Sequence, residues 1–462
     1  MTHNHYDLMI IGTGSGNSVL TPFFDDKRVA IIERDVFGGT CLNKGCIPSK
    51  MFIFPAEIAE HAELTGPRLG VDTTFNGADW PAIRDRVFGR IDPIAEGGRK
   101  YRSEEQDNVT VYPGSARFVG DRTITVTIPG QEDVMVSADQ VVLAAGARVG
   151  APEVVIDSGV PYHTSDSIMR VDKLPEHLIV LGGGYIGAEL GNAFGALGSS
   201  VTIINRSDRM LRQEDPDISE RFTKAYAEKY NILTNTVIES LSSDGPDHIR
   251  LELSIDGEPT TIEGDAFLVA TGRIPNGDEL NVAATGVALD DRGYVITDQH
   301  LRTDAPGVWA LGDITHSVQL KHTSNDDARS VAHNLEHPND LRSPDRRFIP
   351  HAVFGHPQVA SVGLTEPQAR ATGRNLSVIV QPYGAAAYGW AMEDTESVCK
   401  LVADADTREL LGAHLIGPQA SILIQQLIQG MSFGLTVDQM AKGQLYIHPA
   451  LTEVVEQALL EL

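Results

Sequence analysis

Two strand-and-glycine-turn patterns restrict the possible folds more than anything else in this sequence. In the first, Tyr6 to Ile11 is an apolar strand that runs into Gly12-Thr-Gly-Ser-Gly-Asn17, and Lys27 to Ile32 is a second strand ending on Glu33. In the second, His177 to Leu181 runs into Gly182-Gly-Gly-Tyr-Ile-Gly187, a helix follows, and Ser200 to Ile204 ends on Asn205. Glycines so placed permit a tight turn and bring a pyrophosphate close to the backbone at the positive end of a helix. One such turn also occurs in ordinary α/β units, but two in one chain argue for two different dinucleotides. The expected fold class is α/β, with two Rossmann-like dinucleotide-binding domains.

The two copies differ in ways that matter. The first has Gly12, Gly14, Ser15 and Gly16 but carries Asn17 at the third glycine position, and Glu33 can accept from a ribose hydroxyl. The second has all three glycines, Gly182, Gly184 and Gly187, with Tyr185 and Ile186 between the last two. Its selector position is Asn205, followed by Arg206, Arg209 and Arg212, which favours a phosphorylated ribose and so NADPH. The alternative is a solvated basic turn, since Asp208, Glu214 and Asp215 lie close.

Two of the three cysteines, Cys41 and Cys46, fall inside Gly39-Thr-Cys-Leu-Asn-Lys-Gly-Cys-Ile-Pro-Ser-Lys50. A bridge closing so small a loop stabilises little, roughly 2 kcal/mol by chain entropy, and it would need a distorted helical turn. A zinc half-site or a pair of buried thiols is the alternative to redox chemistry. Near the other end, Tyr446-Ile-His448-Pro-Ala-Leu-Thr-Glu453 puts Pro449 at an expected first helical position, His448 at the helix lip and Glu453 in reach to orient it. An oriented imidazole near a thiol suits acid/base work. His3, His5, His351 and His356 read as tail or surface residues, and the sequence offers no metal-ligating constellation.

At 462 residues the chain is too long for one ordinary core. Its formal charge of −26 repels phosphate backbones and anionic lipid, so nucleic acid and membrane surfaces are not expected partners. Leu178 to Gly198 is apolar with glycines at four-residue steps, as in a membrane span, but Glu189 sits mid-segment and three consecutive glycines suit a loop. No signal-peptide pattern opens the sequence, and three cysteines in such a length fit a cytoplasmic location. Met51 to Tyr101 reads as helical, and Val109 to Val136 as a small antiparallel sheet. Strand Gln140 to Leu143 closes on Gly146. Strand Gly307 to Gly312 ends on Asp313, which can hold a ribitol or ribose hydroxyl, and Leu320 to Asn334 reads as a helix.

With these elements placed, the sequence resembles the pyridine nucleotide-disulfide oxidoreductases along its whole length, through Gly39-Thr-Cys-x4-Cys-x-Pro, Gly182-x-Gly-x-x-Gly and His448-Pro-x-x-x-Glu453. The resemblance implies a FAD-binding domain at 1–149 and 277–342, an NADPH-binding domain at 150–276 and a C-terminal α+β dimerisation domain at 343–462. It implies Cys46 as the flavin-proximal thiol and Cys41 as the thiol that attacks substrate. His448 with Glu453 would be the acid/base, delivered to the partner subunit's disulfide in a homodimer, and Lys50 paired with Glu189 would lie near the flavin. Further cofactor positions implied are Thr40, Ala116, Gly146, Gly272, Leu320 and His322. The substrate expected is a low-molecular-weight disulfide of an amino-sugar thiol. Pro22 stands where glutathione-specific members place an arginine, and no cysteine follows Cys399 to form a terminal relay. Dihydrolipoamide dehydrogenases share Ile47-Pro-Ser-Lys50 and remain the alternative, as does a flavin-binding scaffold without turnover.

Overall fold

The computed structural model describes residues 3–462, so Met1 and Thr2 of the N-terminal stretch lie outside the described residues. The chain forms two compact units. One comprises Met1–Pro48, Arg84–Gly150 and Gly272–Asp345, the other Ser49–Ile83, Ala151–Thr271 and Arg346–Leu462.

In the first unit, strands lie in the order Val109–Tyr112, Val29–Ile32, His3–Ile11, Val134–Leu143, Thr123–Thr127, Ser115–Gly120, and Val308–Ala310 joins along Val134–Leu143. The central pairings are parallel and the last two antiparallel. Alternation along His3–Ile11 sends Met9 and Ile11 into one core, with Phe118, Val141 and Leu143, and Leu8 and Ile10 into another, with Phe24, Ile31 and Val331. Leu8 to Ile11 is buried on both faces, which is why that end of the strand reads as an unbroken apolar run. The register pairs Ile11 with Ile32 and with Leu143, and Leu143 with Ala310. The loops after these residues therefore leave the sheet at one edge, where α/β sheets bind ligands.

The second unit repeats the device in a parallel sheet of Asn231–Leu233, Ser200–Ile204, His177–Leu181 and Ala266–Val269. Leu181 pairs with Ile204 and Val269, so the Gly182 and Asn205 turns emerge together. A three-stranded antiparallel sheet spans Thr236–Gly245, His248–Ile255 and Glu258–Gly264. A five-stranded antiparallel sheet orders His351–Val353, Val359–Gly363, Leu410–Ile416, Val398–Asp404 and Leu376–Pro382. Its core is shared with helices Gln425–Ser432 and Thr452–Glu461.

Several sequence expectations need correction. The run from Met51 to Tyr101 is not one helical pattern: helix Cys46–Glu60 passes through a π-helical turn, His61–Thr65, and residues 71–79 are irregular before helix Trp80–Glu104. Gly70 and Gly77 both adopt positive φ there, which a continuing helix cannot accommodate. Val109–Tyr112 is not part of an antiparallel sheet but pairs in parallel with Val29–Ile32, because alternation reports burial and not the direction of the partner. Leu320 caps helix Lys321–Glu336 without belonging to it. Among the described residues, no helix is long and apolar enough to cross a membrane.

Candidate active site

Both glycine turns obey one steric rule. Gly12 has φ +104°, and a Cβ there would lie 2.3 Å from the Ala144 carbonyl oxygen; Gly182 has φ +122°, and its Cβ would lie 2.4 Å from that of Ala270. In both, the obstacle is backbone leaving the neighbouring parallel strand, so only glycine fits. In the second copy, Gly184 caps helix Tyr185–Ala196, Tyr185 is exposed, and a Cβ on Gly187 would come 2.0 Å from the Gly182 oxygen. In the first copy, Gly16 takes the close-packing role, its Cβ falling 2.5 Å from that of Ala144. Asn17 instead accepts from the Arg102 guanidinium, at 2.9 Å on Oδ1 and 3.2 Å on its carbonyl.

The helix expected after the first turn is reduced to a 3-10 helix, Ser15–Val19. Pro22 opens a second short turn, Pro22–Phe24, and Thr21 before it is extended, as a residue preceding proline must be. The helix-terminus argument therefore holds for the second copy and not the first. The first loop is held differently. Glu33 Oε2 accepts from the Thr13 amide at 2.9 Å and from its hydroxyl, and Oε1 accepts from the Asp35 amide at 3.0 Å. Glu33 thus shapes the loop first and keeps lone-pair capacity for a hydroxyl. Gly14 and Gly39 meet backbone to backbone, a Cβ on Gly39 falling 2.6 Å from the Gly14 Cα.

On the same edge, Ser15 donates to Asn325 Oδ1 at 3.0 Å and accepts from Lys321 Nζ at 2.8 Å. Burial pushes the Asp313 carboxyl above its usual range although Arg273 opposes the shift. Asp327, fully buried, accepts from the Gly312 amide at 3.0 Å and lies 3.3 Å from His316 Nε2. The pattern of the sequence did not give it that role. Gly146 and Gly272 have positive φ, His322 is exposed, and Ala116 is buried in the core, so a cofactor contact at Ala116 would come from its backbone.

Cys41 lies in helix Gly39–Asn43 and Cys46 opens helix Cys46–Glu60, with the helical path broken between them at Lys44 and Gly45. This break stands where a bridge between the two would require distortion. Asn43, almost fully buried, holds the approach by donating to the carbonyls of Phe37 at 3.0 Å and Gly39 at 3.1 Å. Cys41 is half-buried and Cys46 exposed, and Thr40 beside them is exposed. Burial pushes the Cys399 thiol up to about 12, which makes it inert by comparison.

In the second unit, Phe52 stacks on Trp80 at 5.0 Å and Trp80 packs on Phe194 at 4.8 Å, all three nearly fully buried. This stack, each ring contributing roughly 1.5 to 3 kcal/mol by burial, fastens helix Cys46–Glu60 to helix Tyr185–Ala196. Lys50 Nζ consequently reaches Glu189 Oε2 at 2.6 Å, and the Phe354 amide donates to Glu189 Oε1 at 3.0 Å.

His448 Nδ1 lies 2.7 Å from Glu453 Oε1, and the Ala450 amide donates to Oε2 at 3.3 Å. The His448 side chain is 73% exposed, so its other ring nitrogen is available. The hydrogen bond from His448 holds the Glu453 carboxyl below its usual range. Pro449 does not open the helix; Thr452–Glu461 starts three residues later, and a turn carries Pro449. His351 and His356 are not simple surface residues. Burial pushes His356 down to about 3. At His351 burial acts the same way, but Glu214, 2.6 Å away, reverses it and raises the ring.

Asn205 is nearly buried and spends its amide on the turn, donating to the carbonyls of Ser207 at 2.9 Å and Arg209 at 2.8 Å. These bonds fix the turn that carries Arg206 and Arg209. Arg206 and Arg212 are exposed.

The family model described as pyridine nucleotide-disulphide oxidoreductase matches residues 6–328, and that of the family's dimerisation domain matches residues 349–459. The chain is 47% identical to mycothione reductase of Mycobacterium tuberculosis H37Rv over 99% of both chains. It is 31% identical to dihydrolipoyl dehydrogenase of Corynebacterium glutamicum, covering 98% of this chain and 97% of that one. The solved structure of the HOCl-induced flavoprotein disulfide reductase RclA from Escherichia coli aligns with a TM-score of 0.85 at 28% identity, over 98% of this chain and 99% of that one.

Proposed function

The chain belongs to the pyridine nucleotide-disulphide oxidoreductases, and from that premise we propose that it reduces mycothione, with Cys41 and Cys46 as its redox pair. It is a flavoprotein disulfide oxidoreductase that uses FAD and NADPH. The residues present fit both groups. Gly12 and Gly39 offer bare backbone where a Cβ would intrude, Gly14 lies against Gly39, and Glu33 and Asp313 supply acceptors for hydroxyls. Gly182 and Gly187 offer the same, Gly184 caps a true helix start with open space about it, and Arg206 and Arg212 are exposed for a 2′-phosphate. We assign 1–149 and 277–342 to FAD, 150–276 to NADPH and 343–462 to dimerisation, in a cytoplasmic homodimer.

FAD, when bound, carries two electrons from NADPH to the cysteine pair. The rest is thiol chemistry. The Cys41 thiolate attacks one sulfur of the substrate disulfide, and the first thiol leaves with a proton from His448. The Cys46 thiolate then attacks the Cys41 sulfur, expelling the second thiol and closing a Cys41–Cys46 disulfide for the next reduction. Glu453 holds the imidazole by Nδ1, leaving Nε2 as the proton-carrying atom.

The observation that carries the substrate reading is the 47% identity with mycothione reductase across 99% of both chains. Pro22 supports it, since its position in a short 3-10 turn offers no cation for a substrate carboxylate, and an amino-sugar disulfide needs hydroxyl recognition instead. The shared Ile47-Pro-Ser-Lys50 context favours lipoamide as the second reading. NADPH-driven turnover on mycothione, glutathione disulfide and lipoamide, compared side by side, tests the reading. Mycothione is expected to give the highest kcat/KM; lipoamide giving it would return the chain to the dihydrolipoamide branch, and absence of turnover on all three would favour a scaffold.

A further inference from the structure

The arginines assigned to the 2′-phosphate project from a turn, and a long exposed side chain selects a ligand only if its backbone is held still. The first half of that turn is fixed by the sheet. The Asn205 amide donates to the Leu233 carbonyl at 2.8 Å, Asn235 donates to Ser207 at 3.1 Å, and the Asn205 side chain closes on Ser207 and Arg209.

The second half is fixed from elsewhere, by helix Pro216–Ala227. Ser219 Oγ donates to the Met210 carbonyl at 2.6 Å, and the Met210 amide donates to Thr223 Oγ1 at 3.0 Å. Thr223 in turn donates to the Ser219 carbonyl at 2.7 Å. Both backbone groups of Met210 are thus satisfied by two hydroxyls one helical turn apart, and its side chain is fully buried. The next residue ties this point to the phosphate loop, because the Leu211 amide donates to the Gly183 carbonyl at 2.9 Å. Met210 sits between Arg209 and Arg212, where the arginine turn and the glycine turn meet.

We propose that Ser219 and Thr223 are positioning residues for cofactor choice: they clamp Met210 so that Arg206 and Arg212 face a 2′-phosphate. Neither touches cofactor. The inference rests on the assignment of that phosphate to this turn, and it adds what makes the turn selective. Loosening the clamp costs only the contacts that the arginines make, so NADPH binding weakens while NADH, which lacks the phosphate, is held as before.

The experiment compares KM and kcat for NADPH and NADH in the FAD-loaded protein and in Ser219→Ala, Thr223→Val and Thr223→Ser, with Arg206→Ala as a control and thermal melting alongside. Loss of one such hydrogen bond corresponds to about a threefold to tenfold rise in KM for NADPH. In Ser219→Ala and Thr223→Val that rise is expected without a change in kcat or in either constant for NADH, and Thr223→Ser, which can still donate and accept, is expected to behave as wild type. An equal loss with both cofactors, or no change in the preference while Arg206→Ala does lower it, overturns the clamp. If wild type prefers NADH and Arg206→Ala changes nothing, it is the phosphate assignment that falls.

Discussion

Cys46 differs from Cys41 in more than exposure. It is the first residue of helix Cys46–Glu60, at the positive end of the helix dipole, which favours negative charge on its sulfur. If Cys46 is the flavin-proximal thiol, reduction of the protein with NADPH should produce a long-wavelength absorption band, which Cys46→Ser loses and Cys41→Ser keeps. Survival of the band in Cys46→Ser would exchange the two assignments. In the proposed exchange His448 carries the other half, and its ring is hydrogen-bonded to Glu453, whose carboxyl is held below the usual range by that bond. The sign of the pH effect follows. A depressed carboxylate keeps its partner ordered above the ordinary carboxylate range and releases it as pH falls through the lowered value. Glu453→Gln should therefore reduce kcat by about tenfold or more and remove the steepest part of the acid limb, read from a pH profile of turnover. An unchanged profile would mean that Glu453 only caps the backbone of the following turn.

In the proposed assignment, helix Tyr185–Ala196 is the element on which the nicotinamide cofactor depends, because its first turn rests on the Gly182 loop. Gly187→Ala would put a methyl group 2.0 Å from the Gly182 oxygen, and overpacking of this kind costs about 1 to 3 kcal/mol. The expected result is purified protein that keeps its flavin absorbance yet is no longer reduced by NADPH at wild-type concentrations of cofactor. Normal reduction would show that the helix start yields without consequence. Gly12, Gly182 and Gly187 were legible in the sequence because sterics against backbone leave one residue type. The apolar strands were legible because both of their faces are buried. Other features had no such local signature. Ser15–Val19 is a 3-10 turn and Asn17 binds Arg102, although the second copy fits helix Tyr185–Ala196 into a segment of nearly the same length; Pro22, which starts a second short turn, marks the difference. Asn43, Asn205 and Asp327 act through backbone groups whose positions exist only once the turns have closed. Pro449 illustrates the reverse error, a residue with a helix-start preference that tertiary context places in the preceding turn.

At the scale of the whole molecule, the surface around His448 is not that of a finished monomer. Leu445 is 99% exposed and Ile447 73%, both in the segment that leads into His448. Apolar side chains gathered about a proposed acid/base mark an interaction surface, and residues 349–459 match the family's dimerisation domain. A second copy of the chain related by a twofold axis would cover the same patch on both subunits. If His448 then serves the partner's cysteines, neither subunit can complete its own site. Mixing Cys41→Ser chains with His448→Ala chains is the discriminating case, since each parent is inactive for a different reason. In a shared arrangement, the heterodimer joins the Cys41 of one chain to the His448 of the other at one site and leaves the second site doubly defective. Random pairing should then restore about a quarter of wild-type turnover. In a self-contained arrangement no pairing contains an intact site, and turnover stays at the level of the parents. Recovery in proportion to the heterodimer fraction, followed by native mass spectrometry, would establish the exchange between subunits, and a demonstrated heterodimer without recovery would rule it out.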